Sequence, residues 1–242
     1  MKRNYVFLLC FVAVLTTISA QTHFMGNFET IGVENGYEWV DLGLPSGLKW
    51  ATCNVGATKP KEYGDSFKWG ETTPVPEGIY SYEYKWGTVT KDPKYKYLWN
   101  LENLTKYNTN SDHGTVDNKT ILDPEDDAAT VNMGGRWRMP TDEEFLELRN
   151  LCRWKRANKG YKVIGPNGNS IFLPTDNCCG FDRYLTRSLD LSDPFKAKRF
   201  YLVAGGFMYR IGVKNGNEKE GAVAYLICSK RYYGSPVRGV CE

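Results

Sequence analysis

Histidine is nearly missing from this sequence: 242 residues hold only His23 and His113. Imidazole is the commonest general base near neutral pH, so its scarcity leaves little material for a Ser–His or Cys–His pair. An excess of one charge is also lacking. The 31 Lys+Arg and 28 Asp+Glu leave a net +3, which gives no electrostatic case for a nucleic-acid partner. Only one long apolar run occurs, at the N-terminus, and that excludes a multi-span membrane protein. No Cys-x-x-Cys pair occurs either, so a structural zinc site of the usual spacing is not expected and no metal or cofactor is assigned. What remains is 41% hydrophobic, 24% charged and 14% aromatic, the composition of an aromatic-rich globular domain.

Lys2 and Arg3 precede an almost wholly apolar Tyr5 to Ile18, and Ser19 and Ala20 follow. This is the secretory pattern, with a core shorter than the about 20 residues a spanning helix needs. Residues 1–20 are read as a signal peptide cleaved before Gln21. The expected product is secreted, periplasmic or at the cell surface, with no transmembrane span. Cleavage leaves 29 basic against 28 acidic side chains and removes Cys10. Cys53, Cys152, Cys178, Cys179, Cys228 and Cys241 remain. An even number in an exported chain favours disulfides, with the pairing open.

Residues 21–36 read as a polar lead-in and 37–242 as one domain. Tyr37 to Leu42 and Leu48 to Val55 flank Leu44-Pro-Ser-Gly47, a hairpin signal. Leu48, Trp50 and Thr52 are expected on one face. Tyr80, Tyr82, Tyr84 and Trp86 recur at period two, the mark of one strand face. Tyr95, Tyr97 and Trp99 repeat the pattern. Residues 100–120 lack periodicity and are expected as an exposed loop. Two helices follow. Asp123 is expected to cap the first, with Pro124 in its first turn and Gly134 ending it. Thr141 with Glu144 forms a capping box for the second. Phe145, Leu148 and Cys152 share a face there, and Arg153, Lys155 and Arg156 are expected to close it. The rest reads as β-structure: Tyr161 to Ile164 and Ser170 to Leu173 around Gly165-Pro-Asn-Gly168, then Phe200 to Ala204, Phe207 to Val213, Ala222 to Cys228 and Val237 to Cys241. The class is α+β.

Several blocks resemble a known family. They are Trp39-Val-Asp-Leu-Gly-Leu-Pro-Ser-Gly-Leu-Lys-Trp-Ala-Thr-Cys-Asn-Val-Gly-Ala57, Tyr63-Gly-Asp-Ser-Phe-Lys-Trp-Gly-Glu71, Asp126-Asp-Ala-Ala129, Arg136-Trp-Arg-Met-Pro-Thr141, Asn167-Gly-Asn-Ser-Ile-Phe-Leu-Pro174 and Pro236-Val-Arg-Gly-Val-Cys241. Together they resemble the Fibrobacter succinogenes major paralogous domain family of exported Bacteroidetes proteins. The resemblance covers residues 39–242 and implies a C-type-lectin-like fold with antiparallel strands, two helices and long irregular loops. It names no ligand. Glu-Pro-Asn, Gln-Pro-Asp and Trp-Asn-Asp, the oxygen-rich triplets of calcium-dependent sugar binding, are absent.

Candidate chemistry divides into acids and rings. Asp126, Asp127, Glu143 and Glu144 stand at helix starts, where the dipole explains them. Asp65 and Glu71 read as loop-ordering acceptors, and His113 as a loop histidine. The rings are the better lead. Tyr80, Tyr82, Tyr84 and Trp86 form one candidate ligand surface and Arg231, Tyr232 and Tyr233 a second, since amphipathic rings suit adaptable recognition. Core packing competes with that reading at every one of these rings. Cys53–Cys152 is the favoured disulfide, on the expectation that the main helix packs near the first hairpin, with Cys228–Cys241 between late strands. The expected function is a non-catalytic exported module binding a glycan or a protein. The rivals are an enzyme acting on glycans or sulfated substrates and a structural envelope or pilus subunit.

Overall fold

A computed structural model describes residues 30–75, 83–91, 99–175, 181–203 and 224–242. The first sheet has the order β1 (Ile31–Glu34), β2 (Tyr37–Asp41), β3 (Lys49–Asn54), β14 (Arg238–Cys241), all neighbours antiparallel. The expected hairpin is present, closed by the Gly47 N–H on the Leu44 carbonyl at 2.9 Å. The lead-in was expected to be loose, but residues 31–34 pair with β2 along their whole length. Its only apolar positions are the exposed Ile31 and Val33, so hydrophobic patterning does not mark it as a strand.

Both faces of this sheet are covered. Trp39, Ala51 and Cys241 pack with Trp69, Trp137, Met133 and Leu185 on one side. Val40, Trp50 and Val240 pack with Phe145, Leu148, Tyr184 and Phe200 on the other. Strand β3 therefore buries adjacent residues, Trp50 and Ala51, and does not alternate as a half-exposed strand would. Thr52 stays only half-buried.

Short pairs and longer sheets surround this sandwich. Strand β4 (Ser66–Phe67) pairs with β13 (Ser235–Pro236), and β5 (Thr88–Lys91) with β6 (Trp99–Glu102). A three-stranded sheet runs β7 (Arg153–Ala157), β8 (Gly160–Ile164), β9 (Ser170–Pro174). Another runs β10 (Phe181–Leu189), β11 (Lys196–Val203), β12 (Ala224–Lys230). With α1 (Ala128–Met133) and α2 (Asp142–Leu151), the architecture is a small α+β domain of antiparallel sheets, with no closed barrel among the described residues. The hairpin around Gly165 forms as expected. A side chain at Gly165 would place its Cβ 2.0 Å from the Leu42 carbonyl, so the turn sits tight against the first sheet.

The helices depart from expectation at their ends. The capping box is present: Thr141 Oγ1 accepts from Glu144 N–H at 3.2 Å, and Glu144 Oε2 from Thr141 N–H at 2.8 Å. Asp123, by contrast, caps nothing with its side chain. Pro124–Asp126 is one 3-10 turn, and α1 starts only after Asp127. Asp127 Oδ1 accepts from both Ala129 and Thr130 N–H at 3.0 Å. The basic trio does not close α2 either. Cys152 caps the helix in an extended conformation, and Arg153, Lys155 and Arg156 lie on β7. Nor is 100–120 an exposed loop. Leu101, Leu104, Tyr107 and Asn108 are buried, and the Asp117 carboxylate holds the Tyr107 and Asn108 N–H groups at 2.8 and 3.0 Å.

Neither expected disulfide is formed: Cys53, Cys152, Cys228 and Cys241 are free thiols. Period-two alternation puts Cys53 on the Ala51 side of β3, away from the face that α2 and Cys152 cover. Cys228 and Cys241 belong to different sheets. Cys178, Cys179, residues 1–20, the 207–213 strand and Tyr95 and Tyr97 lie outside the described residues.

Candidate functional site

The two aromatic leads, more than 140 residues apart in sequence, meet at one place. Trp69 is its centre. Tyr84 Oη donates to the Trp69 carbonyl at 2.8 Å, and Trp86 Nε1 donates to the Gly70 carbonyl at 2.9 Å. The Arg231 guanidinium lies 5.0 Å over the Trp69 ring, and the Trp69 N–H reaches the Arg231 carbonyl at 3.0 Å. Tyr107 stacks edge-on to both Trp69 and Trp86, at 5.1 and 6.1 Å. Tyr232 joins Tyr84, Leu101 and Leu104 in one buried cluster, with Trp86, Val89 and Phe195 against it. Gly70 makes the approach of Trp86 workable. It sits at φ +77°, and a Cβ there would lie 3.1 Å from Trp86 Nε1.

Burial then sorts the candidates. Tyr84, Arg231 and Tyr232 are enclosed; they support the surface and do not form it. Tyr80 and Tyr82 lie outside the described residues. Trp86 is half-buried, with Lys85 Nζ 4.1 Å and Lys106 Nζ 5.1 Å from its ring centroid. Tyr233 is 37% exposed and backed edge-on by Tyr232 at 4.8 Å. Nearby, His113 packs on Phe195 at 4.5 Å, and Lys230 lies 5.5 Å over the same Phe195 ring. His113 is thus a half-buried packing residue.

Sequence reasoning missed Arg199 and took Arg231 for a surface group, yet both are buried and fix this surface from within. Arg199 is fully buried on β11. It donates to the Lys230 carbonyl at 3.0 Å, the Tyr233 carbonyl at 2.7 Å and Ser235 Oγ. Arg231 donates to the Lys106 and Tyr107 carbonyls at 3.2 and 2.5 Å. Both meet mainly backbone carbonyls, and among the described residues neither forms an ion pair with a carboxylate. Burial, with Arg183 nearby, pushes Arg199 down to about 9; at neutral pH it stays charged. A buried guanidinium carries a desolvation cost of several kcal/mol. Here two such groups hold one six-residue stretch, residues 230–235, and the loop that faces it. The signal available in the sequence was weak: an arginine beside two tyrosines reads as a surface group.

The acids of the block also converge. Oxygens of Asp123, Glu125 and Asp126 lie within 4.8 Å of one another, a spacing that could hold a cation. The ammonium of Lys106 occupies that position, at 2.7, 3.4 and 2.6 Å from the three. Lys85 Nζ and Tyr107 Oη add contacts to Asp126 at 3.0 and 2.6 Å. Burial alone would raise the Asp126 carboxyl, but hydrogen bonds from Lys106, Tyr107 and Lys85 outweigh it and hold it low. Hydrogen bonds from Lys106 and Lys119 hold Asp123 low as well. Carboxyls kept ionised in this way cannot serve as proton donors near neutral pH. The cluster therefore works as a structural ion network around its own lysine. Glu71 keeps an ordering role: its carboxylate accepts the Lys85 N–H at 2.9 Å.

Comparison with family models, with curated proteins and with solved structures finds no match to this chain. No described helix is long and apolar enough to cross a membrane.

Proposed function

We propose that the protein is an exported, non-catalytic binding module on a C-type-lectin-like scaffold of the kind its sequence blocks resemble, taking a glycan or protein ligand at the Tyr233 surface. One observation carries this reading. Arg199 and Arg231 lock residues 230–235 from beneath, so that Tyr233 is presented on a rigid base. A ring held in place before contact loses little conformational freedom on binding, and that is how a fixed aromatic contributes affinity. Trp86 and Phe195, both half-exposed, extend the same block. The neighbouring carboxylates are neutralised by lysine, which favours recognition over acid–base chemistry. Release from the cell follows from the N-terminal leader on this reading, placing the protein in the periplasm, at the surface or outside.

Glycan arrays and pull-downs with the mature protein test the proposal, alongside Tyr233→Ala and Trp86→Ala. The expected result is a specific ligand whose affinity drops at least tenfold in Tyr233→Ala, with the urea midpoint of that variant unchanged. Turnover of a glycan or sulfate ester, or a ligand indifferent to Tyr233, would overturn it.

A further inference from the structure

Near-neutral overall charge conceals a sharp local segregation. From Leu148 to Thr175 there is no Asp or Glu, while Arg149, Arg153, Lys155, Arg156, Lys159 and Lys162 fall in the same stretch. The stretch folds into the sheet β7–β8–β9. Arg153, Lys155, Arg156, Lys159 and Lys162 are all exposed, and among the described residues none of these five forms an ion pair with a carboxylate. Register sharpens the point. Lys155 on β7 stands directly opposite Lys162 on β8, and Lys162 directly opposite Phe172 on β9. Arg153 and Lys155 are two residues apart on one strand, about 7 Å, on the same outward face.

Like charges directly across a ladder destabilise a sheet. Protection of an edge strand explains charge on β7, but it does not explain Lys162, which lies on the central strand. Alternating signs would protect the edge equally well and remove the repulsion. An arrangement that opposes folding yet sits in the open is one that a polyanion would relieve. The surroundings narrow the partner. Phe172 is half-buried beside Lys162 and, with Thr52, Pro60, Ser170 and Ile171, lines a recess of about 190 Å³. A ring face, two hydroxyls and flanking cations suit a sugar carrying an acidic group. No residue of β7–β9 is an exposed large hydrophobe of the kind that inserts into lipid, and a single half-buried ring is a poor stacking platform for successive bases.

We propose that the outer face of β7–β9 binds an acidic polysaccharide, with Arg153, Lys155 and Lys162 meeting its sulfate or carboxylate groups and Phe172 packing on a sugar ring. This rests on the reading of the protein as a binding module, but uses a different surface from Tyr233.

The test measures binding of the mature protein to dextran sulfate, with unsulfated dextran, single-stranded DNA and anionic phospholipid vesicles in parallel. Dextran sulfate is expected to bind, dextran not, and DNA and vesicles at least tenfold more weakly than dextran sulfate. Lys155→Glu should weaken dextran sulfate at least tenfold, while raising the melting temperature by about 2 °C because it turns a repulsive cross-strand pair into an attractive one. A purely structural role cannot give both changes. Phe172→Ala should weaken dextran sulfate severalfold without altering the salt dependence. Tyr233→Ala should leave dextran sulfate binding unchanged. Absence of dextran sulfate binding, or equal binding of DNA or vesicles, overturns the assignment to acidic polysaccharide. A ligand dependent on Tyr233 with no dextran sulfate binding would sink this inference alone, whereas no partner at either surface would sink the module reading with it.

Discussion

Asp127→Ala tests the packing argument at its most demanding point. The Asp127 side chain is fully buried and serves two segments at once. It caps α1 through Ala129 and Thr130, and it accepts the Met139 N–H at 2.9 Å, joining the helix start to the chain that returns twelve residues later. Arg187 Nε lies 3.9 Å from the carboxylate. Removing a cap costs about 1 kcal/mol. A buried N–H left without an acceptor adds about 1–3 kcal/mol. The expected loss is about 3 kcal/mol, a large share of a typical domain's stability of about 5–15 kcal/mol. Asp123→Ala is the comparison. Its carboxylate meets only partly exposed lysines, a contribution of under about 1 kcal/mol. Urea unfolding at pH 7, followed by tryptophan fluorescence, reads both, with equal m-values required for the comparison. A loss in Asp127→Ala below about 1 kcal/mol, or equal to that of Asp123→Ala, would refute the assignment of the cap and of the Met139 contact.

Three further outcomes are expected. The Asp126 carboxyl is held below its ordinary value of 3.8; a depressed carboxylate contributes stability above that value and loses it as pH falls through the folded value. The urea midpoint should therefore drop as the solution is taken below pH about 4, and Asp126→Asn should flatten that drop; an unchanged slope would contradict the network. Arg199→Ala removes the guanidinium donor from the Lys230 and Tyr233 carbonyls and should cost about 2–4 kcal/mol, with hydrogen exchange in 230–235 rising well ahead of global unfolding. Non-reducing peptide mapping should return Cys53, Cys152, Cys228 and Cys241 as thiols. Partial desolvation of the Cys228 sulfur and the Asp190 carboxylate push its thiol up to about 12, so its alkylation at pH 8 should be far slower than that of a free cysteine; a Cys53–Cys152 bridge in the map would refute the placement of β3.

Local chemistry was legible and long-range chemistry was not. The Thr141–Glu144 box and the Leu44–Gly47 turn depend on side chains within four residues of their targets, and both form where residue type and spacing put them. The α1 cap shows the limit. Asp123, Asp126 and Asp127 are one residue type in a five-residue stretch, each able to cap a helix. Which one does so is decided by Met139, whose N–H only Asp127 reaches. Asp126 is left for Lys106 and Lys85, and Asp123 for Lys106 and Lys119. The same reason separates α2 from its expected basic close. Arg153, Lys155 and Arg156 suit a helix C-terminus electrostatically, but Trp154 between them packs on Tyr161 and Phe200, and burying that ring in a strand outweighs a dipole effect of about 0.3–1 kcal/mol.

Arg231 and Tyr233 carry the argument from fold to function. A charged residue beside tyrosines near a C-terminal strand reads as surface, because full burial of arginine is rare without partners. The partners exist, but they are the carbonyls of Lys106 and Tyr107, in a stretch whose lack of periodicity hid its order. That stretch is ordered because Asp117 turns it and Tyr107 anchors it to Asp126. The 99–126 segment and the C-terminal strands thus define one surface together, and neither defines it alone. Substitutions at Asp117 should therefore disturb the recognition proposed for Tyr233 from the far side of the block. Asp117→Ala frees the Tyr107 and Asn108 N–H groups and loosens the carbonyls that Arg231 holds. The expected signature is a ligand affinity at least fivefold weaker, with faster hydrogen exchange at 106–108 and 231–233 together; loosening confined to 106–108 would show that the two segments are not coupled.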